Sequence, residues 1–175
     1  MGTVSAGLLE SPGSGGPDPP YSQEVADVGF NFGVGREAPT FTLPAADGSE
    51  ISLGQYRRDW LPVVVFVPAE GAADALARLS TAADTLWGLR GQLVGVCVAA
   101  HDAVREIHEQ AGAVAFPLLA DDGAVARSYG ACRPDGTLRP MAFIVDRAGK
   151  IVWSAEGPDA LEPVTLLTAF RQVVR

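Results

Sequence analysis

Leu61-Pro62-Val63-Val64-Val65-Phe66-Val67-Pro68, running on through Ala69-Glu70-Gly71-Ala72-Ala73-Asp74-Ala75-Leu76-Ala77-Arg78-Leu79, is the stretch whose reading decides the fold. From Pro62 to Val67 it is apolar and mostly β-branched, with no polar residue alternating through it. Such a run reads as the central strand of a sheet, covered on both faces by helices. Pro68 ends it. A short turn containing Gly71 then leads into a helical pattern to about Leu89, with Leu76, Leu79, Ala83 and Leu86 on one stripe. Open α/β sheets place their chemistry at such a junction, because the first amides of the helix have no intrahelical partner there. Between Pro68 and Leu79 the chain supplies only Ala, Glu, Gly, Asp, Leu and Arg. The usual nucleophiles, bases and metal ligands are missing where they would be sought first.

The flanks complete an α/β pattern. Phe41-Thr42-Leu43-Pro44 and Glu50-Ile51-Ser52-Leu53 surround Asp47-Gly48, a pair that favours a tight hairpin turn. Gln92–Ala99 reads as a second buried strand. Asp102 is expected to cap a helix to Ala111, with Val104, Ile107 and Ala111 on one stripe and Gly112 stopping it. Phe116–Leu119 is extended, and Asp121-Asp122-Gly123 opens a helix that Gly130 closes. Met141–Asp146 is a third core strand, turned by Arg147–Lys150 into Ile151–Ser154. Asp159 or Glu162 starts a last helix, with Leu166, Leu167, Phe170, Val173 and Val174 facing inward. Strands alternating with helices give an α/β sandwich with a mixed sheet.

Composition narrows the function. The chain of 175 residues is 47% hydrophobic, enough for one ordinary domain. A net charge of −8 and scattered arginines argue against nucleic acid. The apolar run Leu61–Ala69 falls far short of the ~20 residues of a membrane helix. The start, MGTVSAGLLESPGSGGPDPP, lacks the basic and apolar regions of an export signal, and Ala6 breaks the myristoylation pattern. The 2 cysteines are therefore expected to be thiols in a reducing cytoplasm. Residues 1–34 read as a flexible Pro/Gly/Ser-rich tail, and residues 35–175 as the domain.

Six ordered segments carry a resemblance: Ala38–Pro44, the Asp47-Gly48 hairpin with Ser52–Arg57, Pro62–Ala69, Leu93–Val98, Phe116–Asp121 and Phe143–Val152. In this order and spacing the chain resembles the peroxiredoxins, the AhpC/TSA (redoxin) branch of the thioredoxin fold. The resemblance implies a thioredoxin-like sandwich of peroxiredoxin type, a mixed sheet flanked by helices with an N-terminal hairpin, and an antioxidant peroxidase. That family carries Pro-x-x-x-Thr-x-x-Cys, in which Pro shapes the pocket, Thr supports the thiolate and Cys attacks peroxide. Counted from Pro68, the Thr position holds Ala72 and the Cys position holds Ala75. The family's thiolate-stabilising Arg, three residues before the strand Phe, falls on Pro140, with Arg139 one residue early. Pro140 resembles the cis-Pro of thioredoxin-like proteins. Of the four motif residues only Pro68 matches. Glu70 and Asp74 place negative charge at the helix start, where it would raise the pKa of any thiol.

The remaining candidates have simpler readings. Cys97 lies in a strand with small or apolar residues on both faces, so it reads as an inert core thiol. Cys132 follows Tyr129-Gly130-Ala131 in a loop beside Arg133 and is expected to be the more exposed thiol. His101 and His108, seven apart, lack a third metal ligand and read as surface or capping residues, His101 ahead of its helix. Trp60, Trp87 and Trp153 read as core or rim aromatics. Three functions are weighed: a binding or interaction module that has lost the peroxidase site, a thiol oxidoreductase using Cys132 with or without Cys97, and an enzyme with repurposed pocket chemistry using Glu70, Asp74 or Arg139. No metal or cofactor is expected. The partner is a protein or small molecule, with a second copy of the chain among the alternatives. The expected site lies between Pro68–Asp74 and Arg139–Pro140, emptied where Thr and Cys have become Ala.

Overall fold

The computed structural model describes residues 33–56, 59–112 and 114–174. The tail read over residues 1–34 lies outside them except for Gly33 and Val34, which begin a turn. After that turn the chain runs along the outer side of the Lys150–Ile151 segment: Gly35 N donates to Ile151 O at 2.8 Å and Ala38 N to Gly149 O at 2.8 Å.

The N-terminal hairpin pairs β1 (Thr42–Pro44) with β2 (Glu50–Ser52), Thr42 opposite Ser52. Asp47-Gly48 sits inside a loop from Ala45 to Ser49, wider than the tight turn that the pair favours. Asp47 Oδ1 accepts from Ser49 N at 2.9 Å and from Ser49 Oγ at 2.6 Å, which shapes the loop from within. Ala46 N donates to Leu118 O at 2.9 Å, fastening the loop to the main sheet.

That sheet is built from β3 (Leu61–Phe66), β4 (Gly91–Val98), β5 (Leu118–Asp121), β6 (Met141–Val145) and β7 (Ile151–Glu156), in the order β5-β4-β3-β6-β7. The decisive run is the central strand and is buried at every position. β4 pairs parallel with β3 and with β5; β6 pairs antiparallel with β3 and with β7. Between the strands come α1 (Ala72–Gly88), α2 (His101–Gln110) and α3 (Ala124–Ser128), and α4 (Pro163–Val173) closes the chain.

Burial on two faces follows from the alternation of each strand. Val63, Val65 and Ile144 point into one core with Leu76, Leu79 and Leu86 of α1 and Leu166 and Phe170 of α4. On the opposite face Phe66 and Phe143 meet Tyr129, with ring centroids 5.2 Å and 5.1 Å away, and Phe41 lies 6.3 Å from Tyr129. Each such side chain contributes about 1.5–3 kcal/mol by leaving water. Tyr129 Oη donates to Pro39 O at 2.6 Å, so this second core also clasps the N-terminal segment.

Three local expectations are corrected, and one pair of alternatives is decided. Asp102 does not cap α2: Ala100 is the N-cap, His101 is already helical, and Asp102 pairs with Arg105 at 3.2 Å within the first turn. The last helix starts at Glu162, because Asp159 belongs to a separate 3₁₀ turn, Pro158–Leu161. Val174 lies beyond that helix and is exposed, since the inward stripe ends with the last turn. No peptide bond among the described residues is cis, so Pro140 is trans.

Candidate functional site

The junction after β3 and the entry to β6 meet at one edge of the sheet. Phe66 pairs with Met141. The ladder ends at that pair, so Val67-Pro68 leaves β3 and Arg139-Pro140 enters β6 at the same end of two neighbouring strands. α1 starts behind a glycine N-cap, Gly71, at φ 77°, a left-handed conformation that a glycine adopts without a steric penalty. No side chain caps this helix. Glu70 and Asp74 are exposed beside it. Ala72 is 1% exposed and Ala75 8%, and both belong to the apolar core. The positions that the resemblance aligns with Thr and Cys thus present buried methyl groups.

Trp60 and Trp87 do not fill this region. They stack on each other, ring centroids 4.0 Å apart, at the start of β3 and the end of α1, with the Arg90 guanidinium 5.5 Å from the Trp60 ring. A helix of α1's 17 residues is about 25 Å long, so that stack lies at the far end from Ala72. Trp87 is a rim residue and exposed.

Arg139 is held from several sides. Its amide donates to Ala131 O at 2.7 Å, and its Nη1 donates to Glu156 Oε2 at 2.7 Å. About a third of each charged side chain remains exposed, which keeps the pair near the ~1 kcal/mol typical of surface ion pairs. The buried Arg139 Nε finds no hydrogen-bond partner among the described residues. Cys132 bridges to Leu138 across a small hairpin, one leg of which runs into Arg139. With Ala131 O accepting the Arg139 amide and Cys132 opposite Leu138, this hairpin holds half-buried Cys132 beside Arg139.

Cys97 is the next-to-last residue of β4 and has no exposed surface, and burial pushes its thiol pKa up to about 11. Both cysteines are free. His101 Nε2 hydrogen-bonds Ala45 O at 2.8 Å, so this histidine anchors the N-terminal hairpin; it does not cap a helix. No group of three or more His, Cys, Asp or Glu side chains among the described residues could hold a metal. Asp121, 1% exposed, accepts from Val125 N at 3.2 Å and Ala126 N at 2.8 Å, while Asp122 accepts from Ala124 N at 3.0 Å. These carboxylates start α3 by accepting from its first three amides. The Arg139–Glu156 pair escaped sequence reasoning, because only the β6–β7 register, Met141 opposite Glu156, brings the two together.

Comparison with known proteins gives the context for this edge. The AhpC/TSA family profile matches residues 34–154. Two Mycobacterium tuberculosis sequences, described as "Putative peroxiredoxin MT2597" and "Putative peroxiredoxin Rv2521", are each 32% identical over 129 residues, covering 67% of this chain and 81% of their own. Among solved structures, peroxidoxin BcpB from Mycobacterium tuberculosis superposes with a TM-score of 0.71 at 20% identity, covering 82% of this chain and 99% of its own. The mitochondrial 2-Cys peroxiredoxin from Plasmodium falciparum gives 0.71 at 15% identity, with 81% and 94% covered. At these identities the structures speak for the fold.

Proposed function

The chain belongs to the AhpC/TSA family, and from that premise we propose that it is a peroxiredoxin-like protein of the thioredoxin fold with a degenerate peroxidase site. In this reading it works in the cytoplasm as a binding or interaction module, through the edge between Pro68–Asp74 and Arg139–Pro140. The observation that carries the reading is the start of α1. A peroxidatic thiolate needs a thiol at a helix N-terminus with cations near it. Ala72 and Ala75 stand there as buried methyl groups, and Glu70 and Asp74 supply the opposite charge. Cys97 is no substitute, because a thiol with a pKa of about 11 is almost wholly protonated at neutral pH.

Stopped-flow peroxide consumption tests the loss of activity. The wild type, supplied with a thiol donor, should consume hydrogen peroxide and alkyl peroxides no faster than free cysteine does. Faster consumption overturns the proposal. A second reading, a thiol oxidoreductase, is favoured by one observation, the hairpin that places Cys132 beside the Arg139 edge. Activity that disappears in Cys132→Ser would establish it. The binding edge has its own test in Ala75→Trp, which should abolish partner or ligand binding; unchanged stability and binding would remove this edge from consideration.

A further inference from the structure

Both histidines of the chain face the same feature, and the function proposed above uses neither. His101 and His108 are seven residues apart on α2, nearly two full turns, so they project from one side of the helix. His101 holds the Ala45 carbonyl. His108 reaches the next part of that loop: it lines a cavity of about 360 Å³ and a neighbouring one of about 310 Å³, which share Ala46, Asp47 and His108. The larger lies within the ~300–1,000 Å³ range of small-molecule sites. Ile51, Val114, Phe116 and Pro117 give it apolar walls.

A few polar groups converge on these walls. The Tyr56 and His108 side chains line the cavity and make no hydrogen bond to other described residues, so both remain available to a ligand. Burial raises the Tyr56 pKa above its ordinary 10.0, which keeps the phenol protonated and able to donate. At the rim, hydrogen bonds from the Ser49 hydroxyl and amide hold the Asp47 carboxyl below its ordinary 3.8, with His108 adding a smaller attraction. Asp47 is therefore anionic at neutral pH. A fixed carboxylate on the rim of a chain with net charge −8 repels anions and attracts hydrogen-bond donors.

We propose that the cleft between the Ala45–Ser49 loop and α2 is a second binding site, for a small uncharged aromatic molecule carrying both N–H donors and a carbonyl acceptor, as benzamide does. The ring lies against Ile51, Phe116 and Pro117; the carbonyl accepts from the Tyr56 hydroxyl, and the two N–H groups donate to the Asp47 carboxylate and to His108. The cleft shares no residue with the Pro68–Arg139 edge, so the two sites stand or fall separately.

Titration of the ¹⁵N-labelled full chain with benzamide, followed by NMR, tests this. Benzamide should shift the amide signals of Ser49, Tyr56, His108 and Val114 saturably, and benzoate at the same concentrations should not. His108→Ala and Tyr56→Phe should each weaken benzamide by about threefold to tenfold, the loss of one ordinary hydrogen bond. The proposal is overturned if benzamide shifts those signals without saturation or shifts others instead, if benzoate binds as well, or if both variants bind unchanged. Should His108→Ala lose the dispersed spectrum of a folded protein, Tyr56→Phe decides alone, and unchanged binding in it counts against the site.

Discussion

Two helices begin at the same edge of the sheet and are started in opposite ways. α3 follows parallel strand β5 and is heavily capped: Asp121 takes two of its amides and Asp122 a third. α1 follows parallel strand β3 and has no side-chain cap, only a left-handed glycine and an exposed aspartate in its first turn. Both helices face the loss of hydrogen bonds that every N-terminus brings. The chain meets it with carboxylates where the helix is short and structural. At α1, whose 17 residues anchor it through Leu76, Leu79 and Leu86, only backbone acceptors serve the first turn: Ala72 N donates to Ala69 O at 3.3 Å and Ala75 N to Gly71 O at 3.2 Å. In the reading proposed above, such an uncapped start is one that a thiolate could use, and Ala75 supplies no thiol to it.

Removing an acid at each of these two starts should give unequal results. Asp121→Ala leaves two amides unpaired beside a buried site and is expected to cost about 3 kcal/mol, as for buried hydrogen bonds to a charged group. Asp74→Ala removes only a favourable dipole interaction on an exposed turn, about 0.3–1 kcal/mol. Urea unfolding of the two variants checks this. Equal losses would mean that α1 depends on its acid as much as α3 does, and the contrast would fail.

The same contrast shows what the sequence could convey. The β-branched run from Pro62 to Val67 had one reading, and it became the central strand, because burial on both faces leaves no other place for it. Asp121 was legible as a cap from its place ahead of Gly123, but its depth was not, since that depends on β5 lying against β4. Asp102 had the same local signature ahead of a helix and caps nothing; helix α2 begins two residues earlier than the pattern suggested, which puts Asp102 inside the first turn, paired with Arg105. The missing Thr and Cys could be counted from Pro68 without a structure. The Arg139–Glu156 pair and the hairpin carrying Cys132 could not, because both are set by strand register across intervening loops.

The thiol that the chain does retain in its core sharpens the difference between a site and a scaffold. Cys97 has its pKa raised from 9.0 to about 11 by burial. Above pH 9 the unfolded chain therefore loses this proton before the native protein does, so the native state binds more protons in that window. Stability must then fall as pH rises from about 9 toward 11, by on the order of 2 kcal/mol for this one group, and be unaffected by it at neutral pH. Comparing the alkaline unfolding of wild type with that of Cys97→Ala isolates this contribution from other groups titrating there. If the two curves run parallel from pH 9 to 11, Cys97 is not held as a buried neutral thiol.

The smallest expected effect probes the uncapped start of α1 directly. Ala75→Cys puts a thiol where the proposed alignment sets the family's nucleophile, yet three influences keep it protonated. Ala75 is 8% exposed, so burial raises a thiol pKa there. Glu70 and Asp74 add negative charge nearby. Arg78, three residues on along α1, is already paired with Glu162 at 3.0 Å, and Arg139 with Glu156 at 2.7 Å. Against them stand only the uncapped amides of the helix, which by themselves stabilise an anion by about 0.3–1 kcal/mol. The thiol of Ala75→Cys should therefore titrate at or above the ordinary ~8.5. Adding Glu70→Gln and Asp74→Asn should lower it by up to about one unit, because two repelling charges are gone while the helix start is unchanged. The pH dependence of alkylation measures both values, with Cys97 and Cys132 replaced by Ser to leave a single reactive site. A thiol already ionised at neutral pH in Ala75→Cys would show that the acids do not oppose the anion. The junction would then be a peroxidase site lacking only its sulfur, and the proposed binding role would lose its electrostatic ground.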